Sequence, residues 1–232
     1  MNDTNTANDL AKVIDHTLLN STAVRADIEI LCRQAIQYGF YSVFVQPKWV
    51  DLAAGILRGR GVKVGTMAGF PFGAEITRVK AFQAETAIMA GADEIDMVAD
   101  LAAIISGDRQ ALMHDIASVA GVCRSMRPKV LLKVIIEAAA LTDEQIVFAC
   151  QAAQAAGADF VKTSTGFHPA GGARPEHVQL MKQAAPGCQV KASAGIRTPQ
   201  QAIELLAAGA SRLGTSKSVE IIEQFRTERK EQ

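Results

Sequence analysis

Eight short apolar runs punctuate the chain, at Val13–Leu18, Ser42–Val45, Val62–Met67, Glu94–Val98, Val130–Ile136, Phe160–Lys162, Gln189–Lys191 and Arg212–Gly214. Most are rich in Val and Ile and are near-continuous rather than alternating, the pattern of parallel strands buried on both faces. Between them lie longer stretches with helical punctuation. Thr142-Asp-Glu-Gln145 reads as a capping box ahead of Ile146, Val147 and Phe148, and Thr198-Pro199 as an N-cap followed by proline at the first helical position. Ala90-Gly-Ala-Asp93, Ala156-Gly-Ala-Asp159 and Ala208-Gly-Ala-Ser211 each fall between a helix and the next strand, with Tyr38-Gly39-Phe40 as a weaker copy. One helix-to-strand connection used repeatedly predicts a βα-repeat architecture.

Eight such units predict an α/β fold, a single (β/α)8 TIM barrel. An open doubly wound sheet would place a Gly-rich phosphate turn after its first strand. Asp15-His-Thr-Leu-Leu19 stands there instead. The expected division is a polar N-terminal tail over 1–10, a barrel over 11–226 and a charged C-terminal tail over 227–232. The 232 residues suit one barrel. Lys+Arg and Asp+Glu balance at 24 each, so overall charge points to neither nucleic acid nor an anionic membrane as partner. No apolar run reaches the ~20 residues of a membrane span. The start has neither the basic nor the apolar segment of a signal peptide. The four cysteines are dispersed, without CxxC spacing, which predicts a reduced, cytoplasmic setting.

A barrel's chemistry lies at the C-terminal ends of its strands, and three lysines fall there on consecutive strands: Lys133, Lys162 and Lys191. Apolar neighbours and mutual repulsion lower a lysine's pKa and expose the neutral, nucleophilic amine. A single lysine at a strand end is more often a side chain that snorkels to water; three on adjacent strands favour a site. Asp96, beside the Lys133 strand, suits proton transfer and suits a structural ion pair with Lys133 as well. Thr163-Ser-Thr-Gly166, Ser193-Ala-Gly195 and Gly214-Thr-Ser216 follow the last strands, where barrels often bind phosphate. Gly195 and Gly214 would offer backbone N–H groups and Ser216 a hydroxyl. His16 ends the first strand and fits either the mouth or a structural role, and His114 reads as surface. No His-x-His or HExxH spacing predicts a metal.

Asp15-His-Thr-Leu-Leu19, Gly69-Phe-Pro-Phe-Gly73, Glu94-Ile-Asp-Met-Val98, Leu132-Lys-Val-Ile-Ile-Glu137, Phe160-Val-Lys-Thr-Ser-Thr-Gly-Phe167 and Val190-Lys-Ala-Ser193, followed by Gly195-Ile-Arg-Thr198, resemble the deoxyribose-phosphate aldolase family, in order, over roughly residues 11–222. The resemblance implies a class I aldolase without cofactor or metal. Such an enzyme reversibly cleaves 2-deoxy-D-ribose 5-phosphate to acetaldehyde and D-glyceraldehyde 3-phosphate. It implies Lys162 as the Schiff-base lysine, Lys191 as the cation that depresses its pKa, and Asp96 as the proton-relay acid, usually acting with a water. Lys133, Thr165, Gly166, Gly195, Gly214 and Ser216 are then expected to bind substrate. Partners are expected to be a sugar phosphate and aldehydes, with a homodimer open to it.

The chain departs from the family pattern in several places. Phe44 stands where Cys is usual, Asp100 for Asn, Ala138 for Thr, Ala194 for the first Gly of a pair, Lys217 for a second Ser, and Asn20 for a frequent Lys. The segment Phe167–Arg174 is one residue longer and ends in Arg. Lys217 and Arg174 are expected to add positive charge at the phosphate end. Three functions therefore stand side by side: the standard aldolase, an aldolase with altered donor or acceptor, and a non-catalytic sugar-phosphate-binding barrel. Retention of all three lysines and Asp96 argues against the last.

Overall fold

The computed structural model describes residues 6–126 and 128–229. Eight parallel strands close into a barrel in sequence order: β1 (Ile14–Leu18), β2 (Ser42–Val45), β3 (Lys63–Ala68), β4 (Glu94–Val98), β5 (Leu131–Ile135), β6 (Phe160–Lys162), β7 (Gln189–Ser193) and β8 (Arg212–Thr215). Around it run α1 (Ala7–Ala11), α2 (Arg25–Tyr38), α3 (Val50–Leu57), α4 (Thr77–Met89), α5 (Leu101–Ser106), α6 (Arg109–Ser125), α7 (Asp143–Ala155), α8 (Pro175–Ala184), α9 (Pro199–Ala207) and α10 (Ser218–Glu228). The TIM barrel and its eight strands match the sequence expectation. β7 runs two residues further than its apolar pattern because Ser193 and Thr163 bond reciprocally: Ser193 N–H donates to Thr163 Oγ1 at 3.0 Å and Thr163 Oγ1 donates to the Ser193 carbonyl at 3.2 Å.

The expected capping box forms at Thr142/Gln145, and Thr198 caps its helix with Pro199 at the first position, closing a second box with Gln201. The repeated helix-to-strand connection works through two parts. Gly91, Gly157 and Gly209 take positive φ as each helix ends. The aspartate then reaches back to the preceding strand: Asp93 accepts from Val64 N at 2.9 Å and Asp159 from Leu132 N at 3.0 Å. The N-terminal tail reading needs correction. Ala7–Ala11 is a helix with a Thr6/Asp9 capping box, and Leu10 and Ala11 are buried in the core. Sequence alone missed it because one helical turn carries too little periodicity. Residues 1–5 and 230–232 lie outside the described residues, and α10 runs two residues past the expected boundary at 226.

Between the barrel and its helices lies an apolar core that includes Ile14, Val43, Ile95, Val134, Val161, Val190 and Leu213. The barrel interior is different. Its side chains include Asp15, Glu94, Asp96, Lys133, Lys162, Lys191 and Arg212, all buried. Removing such charges from water costs several kcal/mol each unless partners compensate. The interior is therefore organised by charge pairing, and it stands directly beneath the strand ends.

Candidate active site

Lys162 closes β6, Lys191 lies on β7, and their Cα atoms are register partners. Both ammonium groups bond the same oxygen, Asp96 Oδ2, at 2.8 Å each. Asp96 Oδ1 accepts from Lys133 at 2.9 Å, and Lys133 also donates to Glu94 at 2.6 Å. Asp15 Oδ2 lies 2.6 Å from Lys191, while its Oδ1 accepts from Ser42 at 2.6 Å and Arg212 at 3.0 Å. Arg212 reaches on to Glu94 at 3.3 Å.

Three carboxylates thus face four cations, and losing one proton from one lysine balances the group. Lys162 is the lysine placed to lose it. Burial pushes its pKa down from 10.5 to about 8; Asp96 works against that, and the charges of Lys191 and Lys133 support it. For Lys133, burial also opposes the charge, but Asp96, Glu94 and Asp15 outweigh it and hold the pKa above the usual lysine range. Burial would likewise favour a neutral Asp96. The three lysines overcome it and keep this carboxyl well below the ordinary carboxylate range. The geometry therefore sets an amine that gives up its proton readily beside a carboxylate and a second lysine, the arrangement needed to attack a carbonyl and move the protons that follow.

Above this group opens a cavity of about 510 Å3. Lys162, Lys191, Thr165, Gly166, Gly195, Gly214 and Ser216 line it together. Gly214 passes so close to Lys191 that a Cβ there would lie 3.1 Å from Lys191 Cε. Lys133 is the exception and corrects the expected substrate contact. Its register partner is Phe160, two residues below Lys162 on β6, so it sits deeper in the barrel, fully buried and off the cavity wall. Asp96 is also fully buried and absent from the wall; it meets the cavity through the two lysines. His16 points away from the barrel interior, bonding Gln34 at 3.0 Å and packing on Phe40. Arg174 lies in a neighbouring depression rather than on the cavity wall. Lys217 does line the cavity, with its ammonium 2.9 Å from Glu220.

Several residues of the site escaped the sequence reading. Arg197 lines the cavity, as do Gly195 and Ser216. It sits inside the quoted Gly195-Ile-Arg-Thr198 motif, so the signal was present. Glu137 adopts φ 56° and is almost fully buried; its carboxylate accepts from Thr165 Oγ1 at 2.6 Å and from Thr165 N at 3.2 Å, fixing the loop after Lys162. Glu94 shares a face with Asp96 by strand alternation, whereas Asp15 and Arg212, one charge each near a strand start, gave no pattern that pointed to this network.

Two departures acquire a physical setting. Phe44 faces inward, on the cavity wall, with its ring centroid 3.6 Å from Lys191 Nζ, 4.7 Å from Lys133 Nζ and 5.8 Å from Lys162 Nζ. Such contacts between ammonium and ring face favour the charged lysine. Gly65 makes room for the ring, since a Cβ there would fall 2.2 Å from Phe44 Cζ. Ala194 adopts φ 72°, a left-handed conformation that strains any residue with a Cβ.

A family model described as DeoC/LacD family aldolase matches residues 10–216. A relative from Geobacillus sp. (strain WCH70), named deoxyribose-phosphate aldolase, is 51% identical over 93% of this chain and 96% of its own length. One of the same name from Aciduliprofundum boonei is 48% identical over 94% and 97%. Among solved structures, a putative deoxyribose-phosphate aldolase from Coccidioides immitis superimposes with a TM-score of 0.91 at 37% identity, covering 95% of this chain and 87% of that one. The tetrameric deoxyribose phosphate aldolase from Aeropyrum pernix gives 0.89 at 34% identity, covering 96% and 93%.

Proposed function

Because the chain belongs to the DeoC/LacD family of aldolases, we propose that it reversibly cleaves 2-deoxy-D-ribose 5-phosphate to acetaldehyde and D-glyceraldehyde 3-phosphate through a Schiff base on Lys162. The observation that carries this reading is the amine of Lys162, which shares Asp96 Oδ2 with Lys191 at 2.8 Å each and opens onto a cavity of about 510 Å3. The neutral Nζ adds to C1 of the open-chain sugar, and loss of water gives an iminium. The hydroxyl on C3 then gives up its proton, the C2–C3 bond breaks, and its electron pair flows into the iminium to leave an enamine. Glyceraldehyde 3-phosphate departs. Protonation of the enamine carbon and hydrolysis release acetaldehyde and the lysine.

Lys191 supplies the fixed positive charge and, with Asp96, a route for protons to and from the reacting atoms. Asp96 lies behind the lysines, so it acts on the substrate through them or through a water. At the other end of the cavity the phosphate meets Gly195, Gly214, Ser216 and Arg197, at the N-terminal end of α10, whose unpaired N–H groups suit an anion. Among the described residues no helix is long and apolar enough to cross a membrane. A cytoplasmic enzyme of deoxyribose phosphate breakdown, working as a homodimer, completes the proposal.

An assay of deoxyribose 5-phosphate that detects released acetaldehyde, run beside unphosphorylated deoxyribose, tests it. Cleavage of the phosphorylated sugar in clear preference is expected. Equal rates on both would remove the phosphate subsite from the proposal, and cleavage of neither would remove the substrate.

A further inference from the structure

The charges inside the barrel close on themselves. Lys133 donates to Asp96 Oδ1 at 2.9 Å and to Glu94 at 2.6 Å. Glu94 accepts from Arg212 at 3.3 Å, and Arg212 also donates to Asp15 Oδ1 at 3.0 Å. Asp15 Oδ2 lies 2.6 Å from Lys191, and Lys191 leads back to Asp96 through Oδ2 at 2.8 Å. Carboxylate and cation alternate through the whole circuit. Asp15, Glu94 and Asp96 therefore balance Lys133, Lys191 and Arg212 with nothing left over. Lys162 is the seventh charge. Lys133 and Lys191 each hold two carboxylates. Among the described residues Lys162 pairs with one, through an Asp96 oxygen that Lys191 already occupies.

The half of the circuit farthest from the cavity is sealed. Glu94 is 1% and Arg212 6% exposed, and neither lines the cavity above Lys162. The Tyr41 ring covers the Arg212 guanidinium at 3.4 Å. In such surroundings one charge acts over distances that water would screen. Facing Lys162 are Asp96 from β4, Lys133 from β5, Lys191 from β7 and the Phe44 ring from β2. The remaining charges nearby have partners of their own or stand on the rim. Lys63 of β3 pairs with Asp93 at 3.0 Å, His16 of β1 bonds Gln34, Glu137 accepts from Thr165, Lys217 pairs with Glu220, and Arg197 lines the cavity.

We propose that Glu94 and Arg212 are positioning residues that set the charge of Lys162 from beneath, by completing a neutral circuit in which a proton on Lys162 is surplus. The proposal rests on the Schiff base at Lys162 and names what regulates that amine. The sign of each change follows from the count of charges. Without Glu94 the circuit is positive by one and repels the proton of Lys162 more strongly. Without Arg212 it is negative by one, and a protonated Lys162 is what balances it. Without both it is neutral again. No carboxylate is left without a cation in any of these cases, since Glu94 keeps Lys133, Asp15 keeps Lys191 and Asp96 keeps both lysines.

Single-turnover trapping with acetaldehyde, quenched with borohydride and followed from pH 5 to 10, tests it on the full chain. The variants are Glu94→Gln, Arg212→Met, the two combined, and Arg212→Lys, each checked for wild-type circular dichroism. The wild-type rate should rise through a midpoint near pH 8. Arg212→Met should move the midpoint up by about one unit, a roughly tenfold loss at pH 7. Glu94→Gln should move it down by about one unit, a gain of up to about tenfold at pH 6, which damage to the fold does not produce. The combined variant should come back to within about 0.3 of the wild-type midpoint, and Arg212→Lys, which keeps the charge, should stay there. A wild type that traps no acetaldehyde on Lys162 overturns the Schiff base itself. With trapping intact, single variants whose midpoints stay fixed or move the same way, or a combined variant as displaced as the singles, leave the Schiff base standing and overturn the circuit. Should Arg212→Met fail to fold, the direction of the Glu94→Gln shift decides alone.

Discussion

Replacing Lys191 with methionine removes one charge and little volume, and the consequences follow from how its partners are shared. Asp15 Oδ2 loses its lysine, but Oδ1 keeps Ser42 at 2.6 Å and Arg212 at 3.0 Å, and Asp96 keeps Lys133 at 2.9 Å, so each buried carboxylate retains a cation and the barrel should fold. Lys162 loses a repelling neighbour and gains sole use of Asp96 Oδ2. Both changes favour its charged form and move its pKa from about 8 back toward 10.5. At pH 7 a pKa of about 8 leaves roughly a tenth of the amine neutral, and a full return to 10.5 leaves roughly one part in 3,000. The rate of Schiff-base formation should fall by up to ~300-fold, less to the extent that burial still acts. The defect should shrink as pH rises, to about 30-fold by pH 9, because the wild type levels off above its pKa while the variant still gains about tenfold per unit. Single-turnover trapping with acetaldehyde from pH 6 to 10 reads this directly. A loss of the same size at every pH would refute the electrostatic role and leave Lys191 as a proton donor or a structural group.

Phe44→Cys should open the cavity beside Lys191 and change relative rates among acceptor aldehydes, a size change of about 1–3 kcal/mol in discrimination. Melting temperature falls as well, since the ring is almost wholly buried, but lower stability with unaltered preference would defeat its place in specificity. Ala194→Gly should stabilise the protein by about 0.5–1 kcal/mol, the relief of left-handed strain at φ 72° less the added freedom of the unfolded chain; a lower midpoint in urea would contradict the strain. EDTA should leave turnover unchanged, because the iminium is the electron sink; loss restored by a divalent metal would contradict the mechanism.

The barrel was readable because both faces of each strand are buried, so every strand is a compact apolar run, and because the same Ala-Gly-Ala-Asp connection recurs with a physical task. Lys162 and Lys191 were readable because, with Lys133, they put a lysine at the end of three consecutive strands, which snorkelling of single side chains explains poorly. Depth was not readable. Lys133 interrupts β5 in the same way, yet the β5–β6 register sets it level with Phe160 and below the cavity floor. Which lysine meets solvent depends on stagger between strands, which one strand's sequence does not contain. The network of Asp15, Glu94 and Arg212 was hidden for a related reason, since its members come together only when the barrel closes β8 onto β1.

The central claim is a covalent bond between Lys162 and an aldehyde. Acetaldehyde followed by borohydride, then peptide mapping by mass spectrometry, tests it most directly. Reduction should fix an ethyl group on Nζ of the lysine in Phe160-Val-Lys-Thr-Ser164, with Lys191 and Lys133 unmodified. A stable adduct on Lys191 instead, or no adduct under conditions where the sugar phosphate is cleaved, would contradict the account.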